Sequence, residues 1–286
     1  MTITTFAKAT CVALATALTG LAPLPALAQT GLQSLQTGEA SKGWSAVGRL
    51  EIGLKGFCTA ALVAPDLVLT AAHCLFDRDS GARVDPGELQ FLAGMRNGRA
   101  EAYRAVRRAV IHPDYRYGGG TSDSAAITVD IALLELDQPI RSTFIEPYGI
   151  STLGRAGTVG VVSYAIDRAE APALEEVCDL LARRGKMLIF DCDIDFGSSG
   201  APVFRAGEAG PEIVSVISAK AQMGGQKVAV GPSVQEDLPI LYRLLDEGRG
   251  TYAGQPAPTA TLPPVRRFGS GSARENGAKF IRPGGS

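Results

Sequence analysis

"DFGSSGAPVF", residues 195–204, sets two serines, Ser198 and Ser199, between Gly197 and Gly200 just ahead of Pro202. Glycine reaches backbone angles that other residues avoid, so the stretch alone makes a sound tight turn. A serine hydroxyl is a weak nucleophile at neutral pH. It becomes chemically useful only if the chain also supplies a base and an anion to orient that base. The base is the scarcer part, because His73 and His112 are the only histidines.

"CTAALVAPDLVLTAAHC", residues 58–74, places His73 beside Cys74 at the end of an apolar strand. A disulfide from Cys74 to Cys58 would pin the turn that presents the imidazole, and catalysis depends on such fixed placement. "VDIALLELDQPI", residues 129–140, sets Asp130 at the head of an otherwise apolar strand. A carboxylate leading Ile131, Ala132, Leu133 and Leu134 into a core is costly unless it is paired, and a histidine donating to it would offset that cost. Each stretch also has a purely structural reading: a buried histidine, and a strand-end aspartate.

The first 28 residues carry Lys8, no acidic residue, an apolar run from Cys11 to Leu21, and Ala26-Leu27-Ala28 before Gln29. That pattern predicts a secretory signal over 1–28, too short in its apolar run to span a bilayer. Export to an oxidising compartment, periplasm or medium, follows. Without Cys11, four cysteines remain, which allow three pairings; sequence neighbours favour Cys58 with Cys74 and Cys178 with Cys192. There is no CxxC, so no metal site is expected. A net charge of -1 and a pI near 6.2 give no sign of a nucleic-acid partner. Residues 251–286 hold Arg266, Arg267, Arg274, Lys279 and Arg282 against Glu275 alone, a net of +4 in a stretch rich in Gly, Pro and Ser. This predicts a disordered tail able at most to dock weakly on a partner.

Between these ends, short apolar or alternating runs such as Ala46 to Leu54, Leu67 to Thr70, Ile131 to Leu136 and Thr158 to Tyr164 recur between Gly, Pro and Asp. Their number and spacing predict antiparallel barrels or a sandwich. Ala173 to Arg184 reads as a helix from the spacing of Leu174, Val177, Leu180 and Leu181, with a strand through Cys178 as the alternative. A closing helix is predicted around Leu238, Leu241, Leu244 and Leu245, with Asp237 as its cap, Pro239 in its first turn and Gly248 at its end.

Taken together, "LTAAHC" with His73, "DIALLEL" with Asp130 and "GSSGAP" with Ser199 resemble, in chain order, the three signature blocks of the trypsin-like (chymotrypsin-fold) serine peptidases. "VIHPDY", residues 110–115, and "LDQPI", residues 136–140, match stretches that the family carries between those blocks. The resemblance covers about residues 44 to 245. It implies an all-β fold of two antiparallel six-stranded barrels, 43–145 with His73 and Asp130 and 146–250 with Ser199 and the C-terminal helix. Residues 29–42 are then a lead or short propeptide. It also implies an exported serine endopeptidase that needs no cofactor and acts on a polypeptide substrate through an acyl-enzyme. In that reading Ser199 is the nucleophile, His73 the base and Asp130 its orienting anion. Flanked by Gly197 and Gly200, Ser199 would share with Gly197 the two backbone N–H groups that receive an oxyanion. His112, next to Pro113 and Tyr115, is left as structural. An α/β-hydrolase is excluded, because Ala201 stands where its elbow needs glycine and both histidines precede Ser199.

The chain departs from the family in places. Ser198 stands where members matured by cleavage carry an aspartate, and "GWSAVGRLEI", residues 43–52, resembles the bacterial branch that includes the glutamyl endopeptidases. No activation by a buried N-terminal ion pair is therefore expected. Asp193, six residues before Ser199, matches trypsin's selector of Arg or Lys, but Asp195 replaces the usual cysteine and Cys192 is shifted. In "IVSVISAK", residues 213–220, Ile217 stands where glutamyl endopeptidases have histidine, which argues against acidic specificity. Ser218 matches the position whose backbone pairs with an extended substrate. The competing reading is a catalytically silent double barrel acting as a binding or scaffold protein.

Overall fold

Alternation of buried and exposed side chains, broken at Gly and Pro, cuts the described residues into many short strands and two α-helices. The computed structural model describes residues 31–119 and 123–253; the predicted signal over 1–28 and the tail from residue 254 onward lie outside the described residues. A two-residue strand, β1 (Gln33–Ser34), precedes the six strands β2 (Val47–Ile52), β3 (Phe57–Ala64), β4 (Leu67–Thr70), β5 (Leu89–Ala93), β6 (Ala102–Ile111) and β7 (Ala132–Leu136). A one-turn helix, α1 (Ser124–Ile127), interrupts the chain before β7. These six strands pair antiparallel in the order β6-β5-β2-β3-β4-β7, and the β6–β7 ladder closes the ring. The second half runs through β8 (Gly149–Ile150), β9 (Thr158–Ala165), β10 (Arg168–Arg184), β11 (Met187–Phe190), β12 (Pro202–Gly207), β13 (Gly210–Val216), β14 (Ala219–Met223) and β15 (Gln226–Pro232). Helix α2 (Val234–Asp246) and strand β16 (Thr251–Ala253) complete the fold.

The expected pair of barrels is present, with the second less closed than the first. Its sheet runs β14-β15-β11-β10-β9-β12-β13-β8, so β13 and β15 are not joined by a regular ladder. They are tacked by Ser218 N–H to the Val230 carbonyl at 2.8 Å and Ser215 Oγ to the Pro232 carbonyl at 2.7 Å. Gly231 permits the approach, since a Cβ there would lie 1.9 Å from the Val216 carbonyl oxygen. The β8–β13 pair is parallel, an exception to the antiparallel expectation.

Three readings of the sequence need correction. Residues 173–184 are strand, not helix: register shifts at 168/173 and 175/178 against β9, and at 180/182 against β11, break the twofold alternation into a spacing that mimics a helical face. Val177 and Leu181, assigned to the buried stripe, are 50% and 38% exposed. Asp237 is not the α2 cap; Ser233 holds that position, Pro239 lies inside the helix, and Asp237 is fully buried with Lys186 Nζ at 2.5 Å. Residues 251–253 belong to the fold, because β16 pairs with β6.

The segment before residue 43 is also built in. Its β1 pairs with β10, and Leu35, 1% exposed, joins the large apolar cluster that spans both barrels. Helix α2 adds Leu238, Leu241 and Leu245 to that cluster, and Gly248 at φ +64 ends it. Among the described residues, no helix is long and apolar enough to cross a membrane.

Candidate active site

The β3–β4 hairpin carries an almost wholly buried apolar sequence that ends at Thr70, after which Ala72–Leu75 winds into a single 3-10 turn. His73 lies in that turn. The Cys58–Cys74 disulfide ties it back to β3, and the Cys178–Cys192 disulfide links β10 to the segment after β11, so both neighbour pairings are present. Asp130 arrives at the head of the neighbouring strand, between α1, which Asp123 caps through Ala126 N–H at 2.7 Å, and β7, whose Ala132 pairs with Thr70 of β4.

Asp130 is 1% exposed and receives three hydrogen bonds. His73 donates its backbone N–H to Oδ1 at 2.8 Å, His73 Nδ1 lies 2.7 Å from Oδ2, and Ser218 Oγ donates to Oδ2 at 2.5 Å. A buried carboxylate can only accept, so the network requires the imidazole proton on Nδ1 and leaves the Nε2 lone pair as the basic end. Burial and the Asp130 charge push the neighbouring Tyr115 hydroxyl far up, keeping it protonated.

The Ser199 loop is held against the same hairpin. Thr59 N–H donates to the Ser199 carbonyl at 2.8 Å, and Gly200 N–H donates to the Ile217 carbonyl at 2.7 Å. At Gly200, φ +75, a Cβ would stand 2.2 Å from Thr70 Oγ1, 2.4 Å from the Thr59 carbonyl and 3.0 Å from Ala71 N, so only glycine lets the loop come this close to the His73 turn. The two serines differ in environment. Ser198 is fully buried, its Oγ directed at Ser163 Oγ, 3.2 Å, and the Tyr164 carbonyl, 3.4 Å, whereas Ser199 is half-exposed.

Backbone donors around Ser199 divide the same way. Asp195 N–H goes to Ser198 Oγ, Phe196 N–H to Asp195 Oδ1, Ser198 N–H to the Asp195 carbonyl and Gly200 N–H to Ile217. Gly197 and Ser199 are the exceptions: among the described residues neither N–H has a protein acceptor. Two donors without a protein acceptor thus flank the buried Ser198. Lys220 steadies the loop from outside by its ion pair to Asp195 at 2.7 Å, which holds that carboxyl below its ordinary value. His73 and Gly197 share a cavity of about 370 Å³ with the Cys58–Cys74 disulfide and the exposed Phe196 and Ile166.

The remaining predicted residues separate. Ile217 is 1% exposed and works through its backbone, its N–H going to Ala201 at 2.8 Å and its carbonyl receiving Gly200. Ser218 N–H is taken by Val230; its side chain on Asp130 is a contact that sequence reasoning missed. Asp193 is exposed, with its N–H bonded to Glu175 at 2.7 Å, so its side chain does not occupy a buried selector position. Half-burial raises the Glu175 carboxyl to about 6. His112 is 4% exposed; its side chain lies 3.6 Å from Asp237 of α2, and its N–H donates to the Ile131 carbonyl at 3.1 Å.

A family model described as Trypsin matches residues 33–236. The chain belongs to the trypsin family. The chain is similar to the glutamyl endopeptidase of Bacillus licheniformis, 30% identical over 159 residues, covering 52% of this chain and 46% of that protein. Lectizyme of Glossina austeni is 29% identical, over 52% of this chain and 49% of its own, and serine protease 23 of Mus musculus 27%, over 51% and 42%. The chain thus spans about half the length of these curated relatives. Among solved structures, a Glu endopeptidase in complex with MPD superposes with a TM-score of 0.59 at 17% identity, covering 76% of this chain and 96% of that one, a likeness of fold.

Proposed function

We propose that this trypsin-family chain is an exported serine endopeptidase that hydrolyses peptide bonds through an acyl-enzyme on Ser199. His73 Nε2 takes the Ser199 proton as the hydroxyl attacks the scissile carbonyl, then delivers it to the leaving amine. Asp130 keeps the proton on Nδ1 and stabilises the imidazolium that forms. The N–H groups of Gly197 and Ser199 receive the oxyanion, and water then releases the acyl group by the reverse proton path.

The observation that carries this reading is the Asp130 bracket on His73, two hydrogen bonds at 2.8 and 2.7 Å, which leaves Nε2, 3.9 Å from Cys74 Sγ, as the end of the ring not engaged by the carboxylate. The unspent amides beside Ser199 support it further. A silent scaffold has no need to keep the Gly197 and Ser199 N–H groups unpaired. Acidic specificity is not favoured, because Ile217 offers no cation. Export is supported by the 1–28 signal pattern and by two disulfides, which persist in oxidising compartments.

The test is hydrolysis and fluorophosphonate labelling of the purified protein. Ser199→Ala is expected to abolish both while its melting temperature stays unchanged, whereas Ser198→Ala retains measurable labelling. Labelling that survives Ser199→Ala and vanishes in Ser198→Ala would refute the assignment.

A further inference from the structure

A second groove lies away from the cleft. It has a volume of about 1450 Å³ and shares no lining residue with the cavity at His73. Its walls come from both barrels: the lead-in at residues 38–46, the β5–β6 turn, the inter-barrel connection at 140–149 and the β12–β13 turn. Inside it, Arg96 is neutralised by Glu101 at 2.6 Å, and Arg104 is held on the Gln138 carbonyl at 3.1 Å.

Lys42, Arg99 and Arg141 differ: all three are exposed, and among the described residues none has a carboxylate partner. The opposing unpaired acid in the groove is Glu146, while Glu212 faces Arg205 at 3.8 Å. Three unspent cations against one acid leave the groove electropositive on a chain whose net charge is -1. Phe144, 81% exposed, stands on the same wall, its turn fixed by Phe144 N–H to Ser142 Oγ at 3.1 Å. The groove thus offers an aromatic face and unpaired arginines side by side, the residue types enriched in protein interfaces.

We infer that this groove docks an acidic polypeptide segment carrying an apolar side chain, placed on Phe144 with its carboxylates on Arg99, Arg141 and Lys42. The mixed lining favours a polypeptide over a nucleic acid or a sulfated glycan, because the three cations are interrupted by Glu146 and an aromatic, whereas a polyanionic backbone calls for an unbroken cationic track. Its use as a substrate exosite rests on the proposed peptidase activity; the binding itself does not. Docking there would lower KM for proteins that carry such a segment and leave short peptides unaffected.

The probe is a fluorescein-labelled peptide of glutamates around one central phenylalanine, titrated into the full chain carrying Ser199→Ala so that it is not cleaved. The expected result is saturable binding that weakens with salt, falls roughly tenfold or more in Arg99→Glu/Arg141→Glu, weakens in Phe144→Ala, and is absent for the lysine counterpart of the peptide. Unchanged melting temperatures keep the variants comparable. Equal affinity in the charge-reversed chain overturns the inference, as does displacement of the peptide by a sulfated glycan or single-stranded DNA at lower concentration. In otherwise wild-type protein, the charge reversal is expected to raise KM for an acidic protein substrate and to spare a short chromogenic peptide. Binding without any hydrolysis would remove the proposed function and leave the docking site. Hydrolysis with peptide binding indifferent to charge reversal would remove the docking site alone.

Discussion

Asp130 is the most heavily bonded acid of the site, and its three donors differ in what their loss should do. Ser218→Ala removes the hydroxyl donor but leaves both His73 bonds, so kcat is expected to fall about tenfold with KM little changed, the cost of one charge-assisted bond. Asp130→Asn offers an amide where Nδ1–H needs an acceptor, turning the imidazole to the wrong tautomer; a loss of about 10⁴ in kcat is expected. Steady-state kinetics on one short substrate checks both. Glu175 gives a stability prediction of the opposite kind. Its folded-state carboxyl titrates near 6, above the ordinary 4.5, so the folded chain holds its proton longer than the unfolded one and stability drains away as pH rises from about 4.5 through 6. Glu175→Gln is therefore expected to raise the melting temperature above pH 7, with the gain vanishing below pH 4.5. His73, Asp130 and Ser199 are proposed from local runs, and the pairing of His73 with Asp130 is what the fold adds to them. Ser218 on Asp130 was not legible, since its partner is 88 residues away and nothing beside it announces a carboxylate. Asp193 failed differently: position relative to Ser199 was readable, side-chain direction was not.

The 3-10 turn that presents His73 and the loop that presents Ser199 are both held by features outside themselves. The two disulfides close loops of similar separation, 16 and 14 residues, and removing either should cost about 3 kcal/mol by chain entropy. Their effects on turnover should diverge. Cys58→Ser/Cys74→Ser frees the His73 turn and is expected to depress kcat in protein that is still folded, while Cys178→Ser/Cys192→Ser acts mainly on stability; denaturation curves alongside kinetics separate the two. Gly200→Ala should give no labelled protein, because its Cβ would overlap Thr70 and Thr59 backbone and side-chain atoms at once. Among the elements, most of the first barrel was readable from alternation and turn residues. Strand β10 was not, since three register shifts in one 17-residue strand erase the twofold period on which the reading depends. The parallel β8–β13 pair joins two residues to a distant strand, too little chain to leave a pattern.

The barrels are tied by the segments at 33–35 and 251–253 and by one polar cluster around a buried acid. Asp237 in α2, fully buried, meets Lys186 from the β10–β11 turn at 2.5 Å and His112 from the end of β6 at 3.6 Å. Burial pulls the His112 imidazole below its ordinary value even with Asp237 beside it. Lys186→Met strands the Asp237 carboxylate and is expected to cost about 2–3 kcal/mol in urea denaturation, discounted for the partial exposure of Lys186, whereas Lys186→Met/Asp237→Leu should recover much of it. A chain ended at Gly248 loses β16 and the stacking of Arg83 on Tyr252 at 5.2 Å, so it should melt below one ended at Ala253. The family and the two-barrel plan were readable from three spaced motifs, but the clasp was not: Asp237 resembles a helix cap until the tertiary fold closes over it. The proposed function rests on one point, the transfer of the Ser199 proton to His73. The most direct measurement is a crystal structure of the wild-type protein after reaction with a fluorophosphonate. The adduct is expected on Ser199 Oγ, with its phosphoryl oxygen accepting hydrogen bonds from the Gly197 and Ser199 N–H groups; an unmodified Ser199, or an adduct on another residue, would contradict it.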